Sequence, residues 1–276
     1  MNNFGFNVNE VIEKNRTTIE DIEHIEEWLT TETLPKLARE QIIAFLISCD
    51  NDRKMTKRTI KCNYALKSSS PDLFTNRNIR GTELENILNV IHGCEIPHRL
   101  NGYLIGISKL NDTNYRNFNL VAYIKLVTMS LETICFRENV PEGLILILDC
   151  KGFSLMHLSH VKINILKWFL QYVQEAIPIK LKSIHVVNSS SAIEVGFNLI
   201  KPFIRNETIQ NVHFHSLRTM EFFYENHIPK SYLPKDYGGE LEAVSYYHEQ
   251  SLERLNRMHQ YFEFEEQQRY KDFNFL

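Results

Sequence analysis

The stretch LILILDCKGFS, residues 144–154, sets an acid, Asp149, at the end of five aliphatic residues. An unbroken apolar run suits a strand covered on both faces, as in parallel sheets flanked by helices. The end of such a strand is where open α/β sheets bind ligands. The same pattern occurs in the acidic strand that holds magnesium in ATPases, but that chemistry needs a G-x-x-x-x-G-K-[ST] loop upstream, and the chain has none. GYLIGISK has the wrong spacing and reads as a strand, and no G-x-G-x-x-G follows a strand. His157 and His160 lie three apart and His213 and His215 two apart, so each pair can share a face. Four imidazoles can in principle hold zinc. Without H-E-x-x-H, and with no carboxylate at metal spacing, they read as hydrogen-bonded core or rim residues, and no metal is expected. The serines at 189–191 lack the G-x-S-x-G elbow. Ser191-Ala-Ile-Glu194 reads instead as a capping box that starts a helix. These residues predict neither an enzyme nor a cofactor site.

Elements must position whatever the chain does bind. From Thr17 the chain reads as helices, with Ile19, Ile22, Ile25 and Leu29 at helical spacing, then Leu34–Ile47 with Pro35 near its start, then Arg53–Leu66. SSSPDLFTNRNIRG interrupts the pattern, and Glu83–Ile91 reads as a further short helix. Beyond Pro97 strands alternate with helices: strand Gly102–Leu110, helix Leu120–Arg137, strand LILILD, helix Val161–Ile177, strand Ser183–Asn188, another helix, then VHFH. This alternation predicts βα units and a mostly parallel sheet. After DYGGE (236–240) the tail reads as polar and helical. The expected fold class is α/β: a helical region over 1–95, an α/β domain with a small mostly parallel sheet over 96–240, and a helical tail over 241–276.

Composition narrows the classes further. The chain has 276 residues, 43% hydrophobic and 24% charged, ordinary values for a globular protein with a substantial core. A formal net charge of −3 argues against binding nucleic acid by bulk electrostatics. Five scattered cysteines with no C-x-x-C pair read as reduced thiols of a cytosolic protein. The first residues show no secretory signal, and no run approaches the ~20 apolar residues of a membrane span. The expectation is a soluble cytoplasmic monomer.

Three helices carry more apolar surface than a sheet face needs. After Ser191 the polar residues Glu194, Asn198, Lys201 and Arg205 form one narrow stripe. Ile193, Phe197, Ile200 and Ile204 make one apolar face, and Ala192, Val195, Leu199 and Phe203 another. A surface helix is normally polar over about half its circumference. The pattern fits either a helix buried in the core or a cover over a cavity whose second apolar face meets a membrane. Leu120–Arg137 and Val161–Ile177 show the same surplus, which an interior pocket for an apolar ligand would use.

The blocks DCKGFSLMHL, QEAIPIKLKSIHVVN, IKPFI, VHFH and LPKDYGG, in this order, resemble the lipid-binding domain of the CRAL-TRIO family, which includes tocopherol-transfer and retinal-binding proteins. FLISCDNDRKMTKRTIKCNY followed by SSSPDLF is similar to its N-terminal helical region, and PDLF, HVVN and LPKDYGG resemble the insect branch. The resemblance runs from about residue 20 to 240. It implies a carrier that encloses one hydrophobic molecule (tocopherol, retinoid, carotenoid or related lipid) between a small sheet and helices under a mobile gate, and moves it to or between membranes. It needs no cofactor besides that lipid.

By position in this pattern the pocket is lined by Ile124, Val127, Thr128 and Leu131 of the first long helix and by Leu144, Leu146, Leu148, Phe153 and Leu155. Phe169, Tyr172, Val173 and Ile177 add the second helix, and Ile179, Leu181 and Ile184 the third strand and its approach. The gate is 191–204, closing with Ile193, Phe197 and Ile200. Asp149 and Gly152 shape the turn that leaves the pocket floor. The family's tocopherol carrier binds phosphoinositide through four basic residues; here Lys180 matches one, while Cys49, Glu207 and Asn211 occupy the others. Lys182, Lys201 and Arg205 are candidate substitutes in contact with an anionic membrane or phosphatidylinositol bisphosphate, and Arg53, Lys54, Lys57, Arg58 and Lys61 form a second cluster. The competing expectation is a lipid-sensing adaptor that binds a protein partner through the aromatic tail, 261–276.

Overall fold

The computed structural model describes residues 4–137 and 139–273. Helices α1 (Val8–Glu13), α2 (Ile19–Leu29), α3 (Arg39–Ser48), α4 (Arg53–Ser69), α5 (Pro71–Phe74) and α6 (Thr82–Val90) form the N-terminal part. Their starts follow local chemistry. The Thr18 hydroxyl accepts from the Asp21 amide at 3.1 Å, the Asp52 carboxylate accepts from the Met55 amide at 2.8 Å, and Pro71 opens α5. Helix α3 starts at Arg39, four residues beyond the Pro35 expected near its start; residues 35–38 are extended or irregular and Ala38 takes the cap.

Strands β1 (Ile91–Glu95), β2 (Tyr103–Leu110), β3 (Gly143–Asp149), β4 (Leu181–Val187) and β5 (Val212–His215) form one sheet in sequential order. Only β1 runs antiparallel; β2 to β5 are parallel. The crossovers are α7 (Leu120–Glu132), then α8 (Leu155–Leu158) with α9 (Ile163–Glu175), then α10 (Ser191–Ile200) with α11 (Asn206–Gln210). Because the parallel strands are neighbours in sequence order and such crossovers share one hand, these helices all fall on one sheet face. α12 (Met220–Asn226) packs on the other face, α13 (Val244–Arg257) lies along β1, and α14 (His259–Phe273) returns to α4.

β1 corrects the sequence reading, which ends a helix at Ile91. IHGCE has no apolar alternation, and its strand exists because it pairs with β2 from Ile91–Leu110 to Glu95–Gly106. The first long helix ends at Glu132, with a 3-10 turn over Thr133–Phe136, and the second is the shorter Ile163–Glu175. The helix after the serines begins at Ser191, but Ser190 is its cap, and no side-chain cap bond forms. The capping box expected at Ser191 therefore does not form.

The tail is anchored electrostatically. Lys67 and Arg77 each meet Glu132 of α7, at 2.8 and 3.0 Å, and each also meets Glu265 of α14; Arg269 adds a contact to Glu265 at 2.9 Å. All five groups are buried. Burial raises the Glu265 carboxyl, but Lys67, Arg77 and Arg269 outweigh it and hold the group down to about 2. Phe262 of α14 is fully buried beside them, so this part of the expected partner-binding tail packs on its own domain; residues 274–276 lie outside the described ones.

Candidate functional site

Side chains along a strand alternate between faces, so each strand reports on both sides of the sheet. On the face toward α12, Ile105, Ile107, Ile145 and Ile147 are at most 7% exposed and pack with Phe223, Ile228, Leu233 and Tyr237. On the face toward α7, α9 and α10, Leu104, Leu144 and Val186 are buried, but Leu146, Leu148, Ile184 and Val212 are only half-buried, and Phe214 is 39% exposed. β3 is the middle strand, with neighbours on both edges. Its Leu146 and Leu148 are open because the helical layer above does not close on them.

The helices opposite show the same deficit. Tyr172 is the only fully buried residue of α9; Ile165, Leu166, Phe169, Leu170 and Val173 are half-buried. Ala192 alone is buried in α10, where Ile193, Gly196, Phe197 and Ile200 are half-buried. Helix α10 packs on α9 and on the turn that follows it, and two further approaches are close. The Phe197 ring meets Phe214 edge-on at 4.9 Å, and Gly196 lets the helix approach Leu158 so closely that a Cβ there would sit 3.1 Å from it. Its outer residues Val195 and Leu199 are 47% and 50% exposed.

Under α7 the same sheet face opens into a cavity of about 680 Å³, counting the part that reaches solvent, lined by Gly106, Tyr123, Val127, Leu131, Leu144 and Leu146 among others. Gly106 deepens its floor: a Cβ there would come within 3.3 Å of Leu144. Polar groups interrupt the apolar wall: Ser108 Oγ lies 2.9 Å from the Tyr123 hydroxyl, and Glu95, Ser130, Ser251 and Arg254 also border the cavity.

The residues singled out in the sequence fall into distinct environments. Val127, Leu131, Leu144 and Leu146 line this cavity. Leu148, Phe169, Val173, Leu181, Ile184, Ile193, Phe197 and Ile200 are half-buried around the open face and its cover. Ile124, Thr128 and Tyr172 are buried in packed core, Thr128 donating to the Lys125 carbonyl at 2.8 Å, whereas Ile177 and Ile179, though buried, border a groove at the end of α9 together with Val173 and Leu181. Phe153 stacks on His157 at 5.0 Å in the turn after β3, and Leu155 is 57% exposed on α8. Gly106, Ser108, Tyr123, Ile165, Leu166, Val212 and Phe214 were not anticipated. Alternation along β2 and β5 carried a signal for the strand residues, once paired with β3 in register.

Asp149 turns out to be a structural hub. Its carboxylate accepts from the Lys151 amide at 3.0 Å, the Asn188 side chain at 2.6 Å and the Tyr237 hydroxyl at 3.1 Å. It thereby joins the turn after β3, the end of β4 and the LPKDYGG segment. Gly152 has φ +83°, and a Cβ there would collide with Thr113.

Near the far end of α9 lies a wetter groove of about 1010 Å³, lined by Cys49, Arg58, Lys180, Arg205, Glu207 and Asn211 among others. Cys49, Lys180, Glu207 and Asn211, the four positions singled out by the resemblance, share this groove, and only Lys180 among them is basic. Lys180 pairs with Asp50 at 2.8 Å and Arg205 with Glu175 at 2.6 Å. Lys182 lies at the register shift between β3 and β4, over the Tyr103 ring, and Lys201 is exposed after α10. In the second basic cluster Arg53 binds Asp21 and Glu20, and Lys61 binds Glu32, which takes up much of its charge.

Two family profiles match the chain: the CRAL/TRIO domain over residues 84–239 and a Pinta-like UBA domain over residues 14–84. Alpha-tocopherol transfer protein-like of Mus musculus is 28% identical over 246 residues, covering 86% of this chain and 70% of that protein. The Homo sapiens protein of the same name gives the same figures. Clavesin-1 of Rattus norvegicus is 28% identical over 119 residues, 43% of this chain and 33% of its own length. Among solved structures, that of Sfh5 aligns over 88% of this chain and 81% of its own, at 16% identity and a TM-score of 0.49. No described helix is long and apolar enough to cross a membrane.

Proposed function

The chain belongs to the CRAL/TRIO domain family, and on that premise we propose that it is a non-catalytic carrier of one hydrophobic small molecule, delivered to or between membranes. The observation that carries the proposal is the difference between the two sheet faces: Ile145 and Ile147 are sealed, while Leu146 and Leu148 of the same strand are left open. Burying a ~20-carbon chain against that open face, at ~0.8 kcal/mol per methylene, gives more than ~10 kcal/mol before ordering costs. That suits retention of a tocopherol, retinoid, carotenoid or related lipid. Helix α10 acts as the gate, with Phe197 on the cargo side and Val195 and Leu199 turned outward to meet the lipid interface. Lys180, Lys182, Lys201 and Arg205 supply attraction to anionic lipid.

Mass spectrometry of an organic extract of the purified protein, with saturable uptake of a fluorescent retinoid, tocopherol or phospholipid as a second measurement, tests the reading. A lipid-free extract together with no saturable uptake would refute it. Ligand recovered unchanged after incubation supports the absence of catalysis.

A further inference from the structure

On the sheet face away from the cavity, three chain segments bring four imidazoles together. His185 of β4 and His213 of β5 are register partners, and His215 follows on the same face of β5. His227 arrives from the C-terminal cap of α12. The His227 ring centroid lies 4.7 Å from that of His185, 5.0 Å from His213 and 5.4 Å from His215. His185 Nδ1 is 3.1 Å from His215 Nε2. One ring nitrogen from each of His185, His215 and His227 falls within 4.8 Å of the others.

We propose that His185, His215 and His227 form a three-nitrogen binding site for a transition-metal dication of the Zn²⁺ class, with a fourth position open to water. Zinc–imidazole bonds of ~2.0–2.1 Å in a tetrahedron place the nitrogens roughly 3.3 Å apart. The 3.1 Å pair is already at that separation, and the third ring needs only a small rotation or shift to join it.

The surroundings fit a ligand set. Both His185 and His215 are buried, which favours the neutral imidazole and leaves lone pairs to offer. His185 Nε2 lies 3.0 Å from Ser183 Oγ, so with its proton on Nε2 the ring donates there and leaves Nδ1 for the metal. His227 and His213 are half-buried, which leaves a path from solvent. An all-imidazole set favours zinc, cobalt or copper over magnesium or calcium, which prefer oxygen. A plain hydrogen bond explains the His185–His215 contact. It does not explain why a third ring from another segment lies within ligand range of both.

The ion would tie β4, β5 and the cap of α12 together behind Phe214, which holds the gate residue Phe197 from the other face. The test uses tag-free full-length protein stripped with chelator and titrated with Co²⁺ at neutral pH. One equivalent should bind with the visible absorption of tetrahedral cobalt, Zn²⁺ should displace it, and excess Zn²⁺ should raise the melting temperature. His227→Gln, at the half-buried edge, should weaken Co²⁺ affinity at least ~10-fold while the metal-free protein keeps its urea midpoint. His98→Gln, on the exposed surface, should change nothing. Absence of saturable binding at one equivalent, or a His227→Gln protein that binds as tightly as wild type, would overturn the site. His215→Asn, which removes a second ligand, should weaken Co²⁺ binding likewise; should it fail to fold, the His227 variant still decides.

Discussion

Adding the same bulk to adjacent residues of β3 should have opposite consequences. Leu146 and Ile147 are sequence neighbours pointing to opposite sheet faces, the first half-buried beside the cavity, the second sealed against the α12 side. Leu146→Trp places an indole in open space. It should cost under ~1 kcal/mol of stability, because overpacking penalties of ~1–3 kcal/mol or more apply to well-packed sites. Ile147→Trp should lose that full penalty or fail to fold. Cargo behaviour should invert. An indole at 146 excludes the space of about three or four methylenes, and at ~0.8 kcal/mol each that removes about 3 kcal/mol of cargo affinity. A loss of that size is roughly a hundredfold in Kd. Urea unfolding measures the stability effect, and titration with a fluorescent retinoid or phospholipid measures affinity. If Leu146→Trp destabilises as much as Ile147→Trp, or leaves cargo affinity untouched, the open face is ordinary core and the carrier argument loses its main support.

Replacing Lys180, Lys182, Lys201 and Arg205 together with Gln should slow cargo transfer to anionic vesicles several-fold, leave affinity in solution unchanged, and have less effect at high salt, where wild-type attraction is screened too. The double change Val195→Gln and Leu199→Gln should leave stability within about 0.5 kcal/mol, since both side chains are half exposed, yet reduce adsorption to vesicles in a flotation assay. Glu265 has a depressed folded-state pKa, about 2 against an unfolded value of ~4.3, so its contribution is complete above the unfolded value and is lost as pH falls toward 2. Glu265→Gln should remove that part of the acid dependence in urea titrations between about pH 4.5 and 2, and should cost ~3–5 kcal/mol at neutral pH by leaving Lys67, Arg77 and Arg269 short of a counter-charge.

What the sequence determines by itself is the type of most elements and the excess of apolar surface. An uninterrupted LILIL run at a strand, long helices with narrow polar stripes, and Gly152 after Asp149 are local properties, and local sterics and periodicity are enough to read them. The order of blocks carried the family. Only the tertiary structure decided which apolar positions are open. Ile124 and Val127 share a helix and look alike as sequence, yet one lies in packed core and the other faces a cavity. Periodicity reports which way a side chain points, while burial depends on how far away the next layer stands. β1 went unread for a related reason: its conformation comes from pairing with β2, and IHGCE has little strand pattern of its own. The tail was legible as helical, but its docking required Glu265 to meet Lys67 and Arg77 from distant parts of the chain. The histidines show the limit most clearly. His213 and His215 announce a shared face two residues apart, but His185 and His227 join them only because parallel pairing and the return of α12 set three segments side by side. A ligand set built from strand register leaves no spacing in the chain to find, since the distance that matters runs across the sheet.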